Sequence, residues 1–143
     1  MKIKRVNRYY CEFCKKAGCS SFYMKRHEDH CTLNPNRKCR MCKAAGHIPQ
    51  DISELIKILP VPEKFIIHRN DSLGEYESQE GLEEAVNAVI DDLYEKTSGC
   101  PACMMAALRQ AHIPIPVASK FDYVTTCKEF WANVHNENQR NYY

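Results

Sequence analysis

Residues 9–31 of the chain read YYCEFCKKAGCSSFYMKRHEDHC. This stretch contains four cysteines and two histidines, whereas a tetrahedral zinc ion takes four ligands. Two residues separate Cys11 from Cys14, and twelve more lead to His27. Three residues then separate His27 from Cys31, so these two side chains project from the same face of a helix. The spacing predicts a first zinc site made of these four residues.

One histidine and one cysteine of this stretch are surplus to the predicted site. His30 follows His27 by three residues and is an alternative ligand. Cys31 is the softer donor and stands at the commoner spacing. We therefore expect Cys31 to bind the metal and His30 to lie outside the ligand set. Cys19 is expected to be a buried free thiol.

These ligands and their neighbours resemble the classical zinc-finger family with two cysteine and two histidine ligands, in the variant whose last histidine is a cysteine. Tyr9 stands at the aromatic position two residues before the first cysteine, and Met24 replaces the leucine three residues before the first histidine. Gly18 stands where the family has a second aromatic residue. The resemblance implies a short β-hairpin packed on a helix. If the helix docks on DNA as in that family, the contact positions are Ser20, Tyr23 and Arg26.

A second zinc site is predicted from two further cysteine pairs. Cys39 and Cys42 need two more ligands, and the remaining pair at the same spacing is Cys100 and Cys103 in CPAC. This last pair falls at the predicted start of a helix, where unpaired amides and the helix dipole favour thiolates. His47 is an alternative to one of these cysteines. The expected cofactor is therefore two zinc ions, held by eight ligands.

The cysteine pairs also allow other interpretations. Cys11, Cys14, Cys39 and Cys42 could instead form one four-cysteine ribbon. EDHC then resembles the HNH endonucleases, but only eight residues separate His30 from Cys39, too few for the strand, loop and asparagine of that nuclease site. CPAC resembles the thioredoxin-like redox motif, but the βαβ context of that motif is missing. Structural zinc is favoured, and no catalytic residue is predicted, so the chain is expected not to be an enzyme.

Composition places the chain among globular proteins. Its 143 residues are 44% hydrophobic and 27% charged, and no apolar run approaches the roughly 20 residues that a membrane span needs. The basic N-terminus lacks the apolar segment of a signal peptide. Nine cysteines in such a chain indicate metal binding rather than disulfides. A cytoplasmic location is expected.

Charge is divided unevenly along the chain. Residues 1–47 contain twelve Lys and Arg against three acidic residues, a net charge of +9, and the remainder carries −7. A basic segment that contains metal ligands and aromatic residues favours a polyanionic partner, so nucleic acid, either DNA or RNA, is the leading prediction. The expected phosphate contacts are Lys2, Lys4, Arg5, Arg8, Lys15, Lys25, Arg37, Lys38 and Arg40.

Residues 27–47, HEDHCTLNPNRKCRMCKAAGH, also resemble small zinc-binding proteins encoded by tailed bacteriophages, most of which have no assigned role. The resemblance implies an origin and a size class. It leaves open a second function class, a protein-interaction module or inhibitor that docks on a host or virion protein while zinc is purely structural. The expected action is that of an accessory or regulatory protein in the host cytoplasm.

The predicted fold is a small, zinc-stapled, α-rich one with a minor β component. A basic finger and knuckle module, residues 1–48, joins an acidic, mostly helical body, residues 49–143, which contributes the second cysteine pair. The sequence predicts helices after Asp51, after Ser78 as far as Gly99, from Pro101, and after Ser119. SLGEYESQE, residues 72–80, is expected to be a polar turn region, and IPIP an extended segment. The stripe Phe121, Val124, Cys127, Trp131 and Val134 is expected to face the core.

Overall fold

The structure is a computed structural model and describes residues 1–141. More of its residues lie in helices than in strands, and the predicted α-rich, zinc-stapled fold class is confirmed. The strands are β1 Tyr9–Tyr10, β2 Ala17–Gly18, β3 Ile66–Asp71 and β4 Gly74–Gln79. The helices are α1 Ser21–His30, α2 Arg40–Ala45, α3 Ile52–Ile58, α4 Leu82–Lys96, α5 Pro101–Gln110 and α6 Tyr123–Arg140. Within these residues, no helix has the length and apolar character required to cross a membrane.

The N-terminal segment folds as a short hairpin followed by a helix. Strands β1 and β2 pair antiparallel, with Tyr9 opposite Gly18. The Ser20 hydroxyl accepts a hydrogen bond from the Tyr23 amide and so caps α1. Met24 is buried, and a Cβ added at Gly18 would lie 3.4 Å from its terminal methyl group. Gly18 thus lies in van der Waals range of Met24.

The larger core lies between the remaining helices, and α5 is its central element. Helix α5 contacts α3, α4 and α6. Ala106 and Ala107 are fully buried in it, and such small side chains let neighbouring helices approach closely. The fully buried Leu93 and Leu108 belong to the same core. Cys39, Cys42, Cys100 and Cys103 are all buried in this cluster, so the knuckle of α2 packs with the body. The division of the chain at residue 48 stays a prediction.

The region 72–80, expected to be a turn, forms instead the second half of a β-hairpin. Strands β3 and β4 pair antiparallel from Ile66 opposite Gln79 to Asp71 opposite Gly74. Gly74 has a φ of +115°, and the Asp71 carboxylate accepts a hydrogen bond from the Leu73 amide within the turn. Most strand residues on both faces of the hairpin are exposed. Because neither face is buried, the sequence lacks the alternation that predicts a strand.

Helix α4 begins later and ends earlier than predicted. Gly81, with a φ of +79°, precedes its first residue, so Ser78 lies in β4 and caps no helix. The helix ends at Lys96 because Ser98 and Gly99 both adopt positive φ values. Residues 113–116 also differ from expectation, since a 3₁₀ turn at Ile115–Val117 interrupts the predicted extended segment.

Helix α6 is capped by Asp122 rather than by Ser119. The Asp122 carboxylate accepts hydrogen bonds from the amides of Val124 and Thr125. Ser119 instead donates its hydroxyl to Glu83. Hydrogen bonds from the Thr125 hydroxyl and backbone amides to Asp122 hold the pKa of this carboxyl below its usual value.

The predicted aromatic stripe is only partly correct. Phe121 and Val134 are buried, but Phe121 precedes α6, Val124 is exposed and Trp131 keeps 44% of its surface exposed. The buried face of α6 consists of Thr126, Phe130 and Val134, which follow one another at intervals of four residues. The later start of the helix removes Phe121 from it, so a different set of positions faces the core.

Candidate metal centres

The first centre combines the turn between β1 and β2 with helix α1. Cys11 and Cys14 lie on this turn, and His27 and Cys31 lie one helical turn apart at the end of α1. Their ligand atoms all lie within 4.8 Å of one another, and Cys14 Sγ is 3.2 Å from His27 Nε2. Burial lowers the pKa of His27, which favours the neutral imidazole that a metal needs. The structure thus brings together the four residues that the spacing predicts.

Backbone hydrogen bonds hold the turn of the first centre in shape. The Cys11 amide donates to the Lys16 carbonyl at 2.9 Å, and the Lys16 amide lies 3.4 Å from Cys14 Sγ. The Glu12 amide donates to the Glu28 carboxylate on α1 at 2.9 Å. The turn is therefore tied both to itself and to the helix that supplies the other two ligands.

The second centre lies inside the larger core. Cys39 Sγ is 3.5 Å from Cys100 Sγ, and Cys42 Sγ is 3.5 Å from Cys103 Sγ. All four side chains are buried, and their sulfurs lie within 4.8 Å of one another. Cys39 and Cys100 each occupy the cap position of a helix, α2 and α5. Two helix N-termini thus meet at one sulfur cluster, and both stabilise thiolate charge.

Contacts among the four thiols of the second centre shift their pKa values in opposite directions. Hydrogen bonds from Cys100 and Cys103 lower the pKa of Cys39 far below its ordinary value. The contacts with Cys100 and Cys103 raise the pKa of Cys42 correspondingly. A buried cluster of this kind cannot ionise completely without a cation in its middle. A divalent metal would supply that charge and displace the thiol protons.

Both groups fit zinc in chemistry and in size. A tetrahedral zinc ion with Zn–S bonds of about 2.3 Å has edges of about 3.8 Å between sulfurs. The 3.5 Å sulfur–sulfur separations in the second centre are close to that edge and far longer than the roughly 2.05 Å of a disulfide bond. Each group can hold one zinc ion, in agreement with the two that the sequence predicts.

The alternative ligands have other partners. His30 Nδ1 donates to the Lys38 carbonyl at 2.6 Å, outside the first ligand group. His47 lies edge-on to Phe130, with ring centroids 5.9 Å apart, and its Nε2 is 3.9 Å from the Glu137 carboxylate. The four-cysteine ribbon is not formed in the structure, because Cys39 and Cys42 meet the α5 pair instead.

The expectation of a buried Cys19 is wrong. Its neighbours Gly18 and Ser20 link the hairpin to α1, and the side chain is exposed there.

Arg37 lies beside the second centre, although the sequence placed it among the phosphate contacts. Its Nη1 is 3.8 Å from Cys103 Sγ, within reach of a hydrogen bond to sulfur. Its Nε is buried, without a hydrogen-bond partner among residues 1–141. The guanidinium group therefore faces the sulfur cluster, where its charge offsets that of thiolates.

Side chains in the last turn of α5 donate hydrogen bonds to the segment that follows the first centre. Arg109 Nη1 donates to the Thr32 hydroxyl at 2.7 Å. Gln110 Nε2 donates to the carbonyls of Thr32 and Asn34 at 2.8 and 3.0 Å. The buried Asn34 amide in turn donates to the Glu28 carbonyl of α1 at 2.7 Å. Since α5 begins at the second centre, this helix connects the two metal groups. Sequence reasoning missed these residues because 76 to 78 positions separate the partners.

The remaining predicted contact residues lie on the surface of the N-terminal segment. Residues 1–8 have no regular secondary structure. Tyr23 is exposed, while Ser20 is half-buried at the helix cap. The following predicted cationic contacts are exposed: Lys2, Lys4, Arg5, Arg8, Lys15, Lys25, Arg26, Lys38 and Arg40.

Both centres have the four protein ligands that are typical of structural zinc sites. A zinc ion in the first centre would join the β1–β2 hairpin to α1, and one in the second centre would join α2 to α5. Comparison with protein families, with curated proteins and with solved structures finds no match to this chain.

Proposed function

We propose that this chain is a zinc-dependent nucleic-acid-binding accessory or regulatory protein. The observation that carries the proposal is the net charge of +9 within residues 1–47, whose Lys and Arg side chains are exposed with the exception of Arg37. Phosphate backbones bind such surfaces because neutralised phosphates release counterions. The exposed aromatic side chains Phe22 and Tyr23 occur among these charges and offer surfaces on which bases stack.

In this proposal zinc has a structural and not a catalytic role. A catalytic zinc ion keeps a coordination position open for water or substrate. Each group here contains four protein ligands, a full tetrahedral set. The zinc ions would hold the basic surface in shape, and the protein would act by binding.

The proposed location is the cytoplasm, and the proposed origin is a bacteriophage. Zinc-binding thiolates persist where thiols are kept reduced, as in the cytosol. Seven of the nine cysteines fall into the two groups, together with His27. The phage origin is supported by the resemblance of residues 27–47 to small phage zinc proteins.

The salt dependence of binding tests the proposed function. The affinity of the zinc-loaded protein for generic DNA and RNA should fall with salt, with a log-log slope of about −0.7 to −0.9 per phosphate contact. Lys25→Ala should weaken binding to all sequences and reduce the slope by about one contact. Lys64→Ala is the matched control, since Lys64 is exposed on the body, and should change nothing. Binding that is absent at low salt would refute the proposal.

A second candidate function is a protein-interaction module that docks on a host or virion protein. The hairpin of β3 and β4 favours it, because Ile67 and Tyr76 are partly exposed on its strands and Leu73 at its tip is 93% exposed. Capture of the tagged protein from its native cell, with and without nuclease, separates the two. A partner that survives nuclease, together with nucleic-acid binding that vanishes at physiological salt, would establish the second candidate.

A further inference from the structure

We infer that a groove between α1 and α2 binds single-stranded nucleic acid; the inference rests on the proposed function and names its ligand. The groove has a volume of about 610 Å³. Lys16, Arg26 and Arg40 line it from three different parts of the chain, the β1–β2 turn, α1 and α2. Tyr23 of α1 lines it as well.

The charge of the groove suits phosphate. None of the residues that line it is acidic. Lys16, Arg26 and Arg40 are exposed, and within residues 1–141 none of the three forms an ion pair. Their charges are therefore available to an anionic ligand, and three cations in one concave site raise the local concentration of polyanions.

The aromatic side chains favour a single strand over a duplex. Tyr23 is 68% exposed, and Phe22 meets it edge-to-face with ring centroids 5.5 Å apart. Large exposed rings beside cations provide stacking surfaces for bases, and only unpaired bases can reach such surfaces. Paired bases of a duplex would offer the Tyr23 ring only their edges in a groove.

The shape of the groove separates this site from a lone finger helix docked on a duplex. Tyr23 and Arg26, which the resemblance places among base-reading positions, line the groove together with Arg40 of α2. The exposed face of α1 is thus part of a concave site shared with α2. An extended strand can follow such a site, with phosphates at the cations and a base on Tyr23.

Hydrogen bonds tie together the parts of the chain that contribute Arg26 and Arg40 to the groove. Arg40 follows directly after the ligand Cys39, whereas Arg26 precedes the ligand His27. Between the two centres, the Lys38 amide donates to the Asp29 carbonyl at 2.7 Å, and the Lys38 carbonyl accepts from His30. The groove is therefore formed before the ligand arrives, which lowers the entropic cost of binding.

The test compares single strands with a duplex of the same sequence. Fluorescence anisotropy would measure binding of the full-length, zinc-loaded protein to labelled DNA and RNA strands of about 12 nucleotides, within the range of known single-strand sites. Single strands should bind at least about tenfold tighter than the duplex. Tyr23→Leu should weaken single-strand binding by about 5- to 150-fold, with little effect on the duplex, and Tyr23→Phe should retain binding because it keeps the ring.

The charge variants complete the test. Arg40→Gln and Arg26→Gln should each reduce the salt slope by about one phosphate contact. Lys96→Gln is the control on the acidic body, where Lys96 is exposed, and should leave binding unchanged. Native mass spectrometry with two zinc ions per chain would verify that each variant is folded.

The outcomes distinguish this inference from the proposed function. Salt-dependent binding in which the duplex is preferred, or in which the Tyr23 and Arg40 variants behave like the Lys96 control, would overturn the groove and leave the proposed function standing. No binding of strands or duplex at low salt would overturn both. A nuclease-resistant protein partner in the absence of nucleic-acid binding would likewise assign the groove to another ligand.

Discussion

A single guanidinium group, that of Arg37, lies beside the sulfurs of the second centre. Four thiolates around a zinc ion carry a net charge of about −2, and burying such a charge is costly unless a cation lies nearby. Arg37 contacts Cys103 and is the cation in hydrogen-bonding reach of this sulfur. Partners outside the ligand set commonly tune metal affinity.

Replacing Arg37 should therefore loosen the zinc ion of the second centre. Arg37→Met should lower zinc affinity there by about 10- to 100-fold, the usual effect of losing such a partner. Competition with a chromogenic chelator would measure it. Lys38→Met, at an exposed neighbouring position, is the control and should not change zinc affinity. Unchanged zinc affinity in Arg37→Met, with a salt slope reduced by about one, would return Arg37 to the phosphate contacts.

Gly99 offers a second prediction at the residue scale. Its φ is +72°, and an added Cβ would lie 3.0 Å from both Cζ and Oη of Tyr94. Gly46 is a matched control, because its φ is +71° but nothing lies within 4 Å of an added Cβ. The left-handed conformation alone should cost about 1–2 kcal/mol in either Ala variant. The clash should cost Gly99→Ala about 1–3 kcal/mol more.

Urea unfolding in excess zinc would measure the difference between the two glycine variants. Equal losses of unfolding free energy in Gly99→Ala and Gly46→Ala would show that the Tyr94 ring moves aside without cost, which contradicts the prediction.

At the scale of elements, α5 joins the two metal centres through opposite ends. Its first residues stand at the second centre, and its last turn holds the chain just beyond the first centre. The contacts of Gln110 are the part of this connection that a single substitution can remove.

Gln110→Ala should destabilise the surroundings of the first centre more than the larger core. It removes two hydrogen bonds, each contributing about 0.5–1.5 kcal/mol. Faster amide hydrogen exchange is expected in residues 29–38, with α4 protected as before. Gln139→Ala, which removes an exposed contact to His135 on α6, is the control. An exchange pattern that is the same in both variants would show that α5 does not stabilise the surroundings of the first centre.

The sequence predicts those helices that show apolar periodicity or have residues typical of helix starts and ends. Leucine and valine at three- and four-residue intervals predict α4, and Pro101 predicts the start of α5, because buried helix faces produce such patterns. The hairpin of β3 and β4 was missed because both of its faces are exposed. The cap of α6 was misplaced because Ser119 and Asp122 are both good caps, and only tertiary contacts choose between them.

The candidate site was predictable in its ligands but not in its surroundings. Cysteine spacing is a local property, so it favours the four residues of each group, although His30, His47 and a four-cysteine ribbon also fit the spacing. The contacts of Arg37, Arg109 and Gln110 depend on how distant segments pack, which the spacing does not encode. The groove is likewise a tertiary feature, since Arg40 meets the face of α1 only after the linker has folded.

At the scale of the whole molecule, the two centres should contribute unequally to the fold. The sulfurs of the second centre belong to the larger core, whereas the first centre has its own small cluster with Met24. Zinc-binding energy is folding energy where the site does not exist in the unfolded chain. Loss of the second zinc ion should therefore disrupt the body, and loss of the first should unfold mainly the finger.

Paired ligand variants test this inequality. Cys11→Ser/Cys14→Ser and Cys100→Ser/Cys103→Ser should each retain one zinc ion by native mass spectrometry. Circular dichroism should show most helicity kept in the first double variant and largely lost in the second, since α3 to α6 surround the second centre. Two zinc ions retained in either variant, or the same helicity in both, would contradict the unequal roles of the centres.

The long separation of the second cysteine pairs has a consequence for biosynthesis. Fifty-seven residues lie between Cys42 and Cys100, so the ribosome completes the finger well before it supplies the other half of the second centre. The first centre can take up its ion during translation, while Cys39 and Cys42 wait as open thiols on the nascent chain. The second centre therefore cannot close until Cys103 has emerged from the exit tunnel.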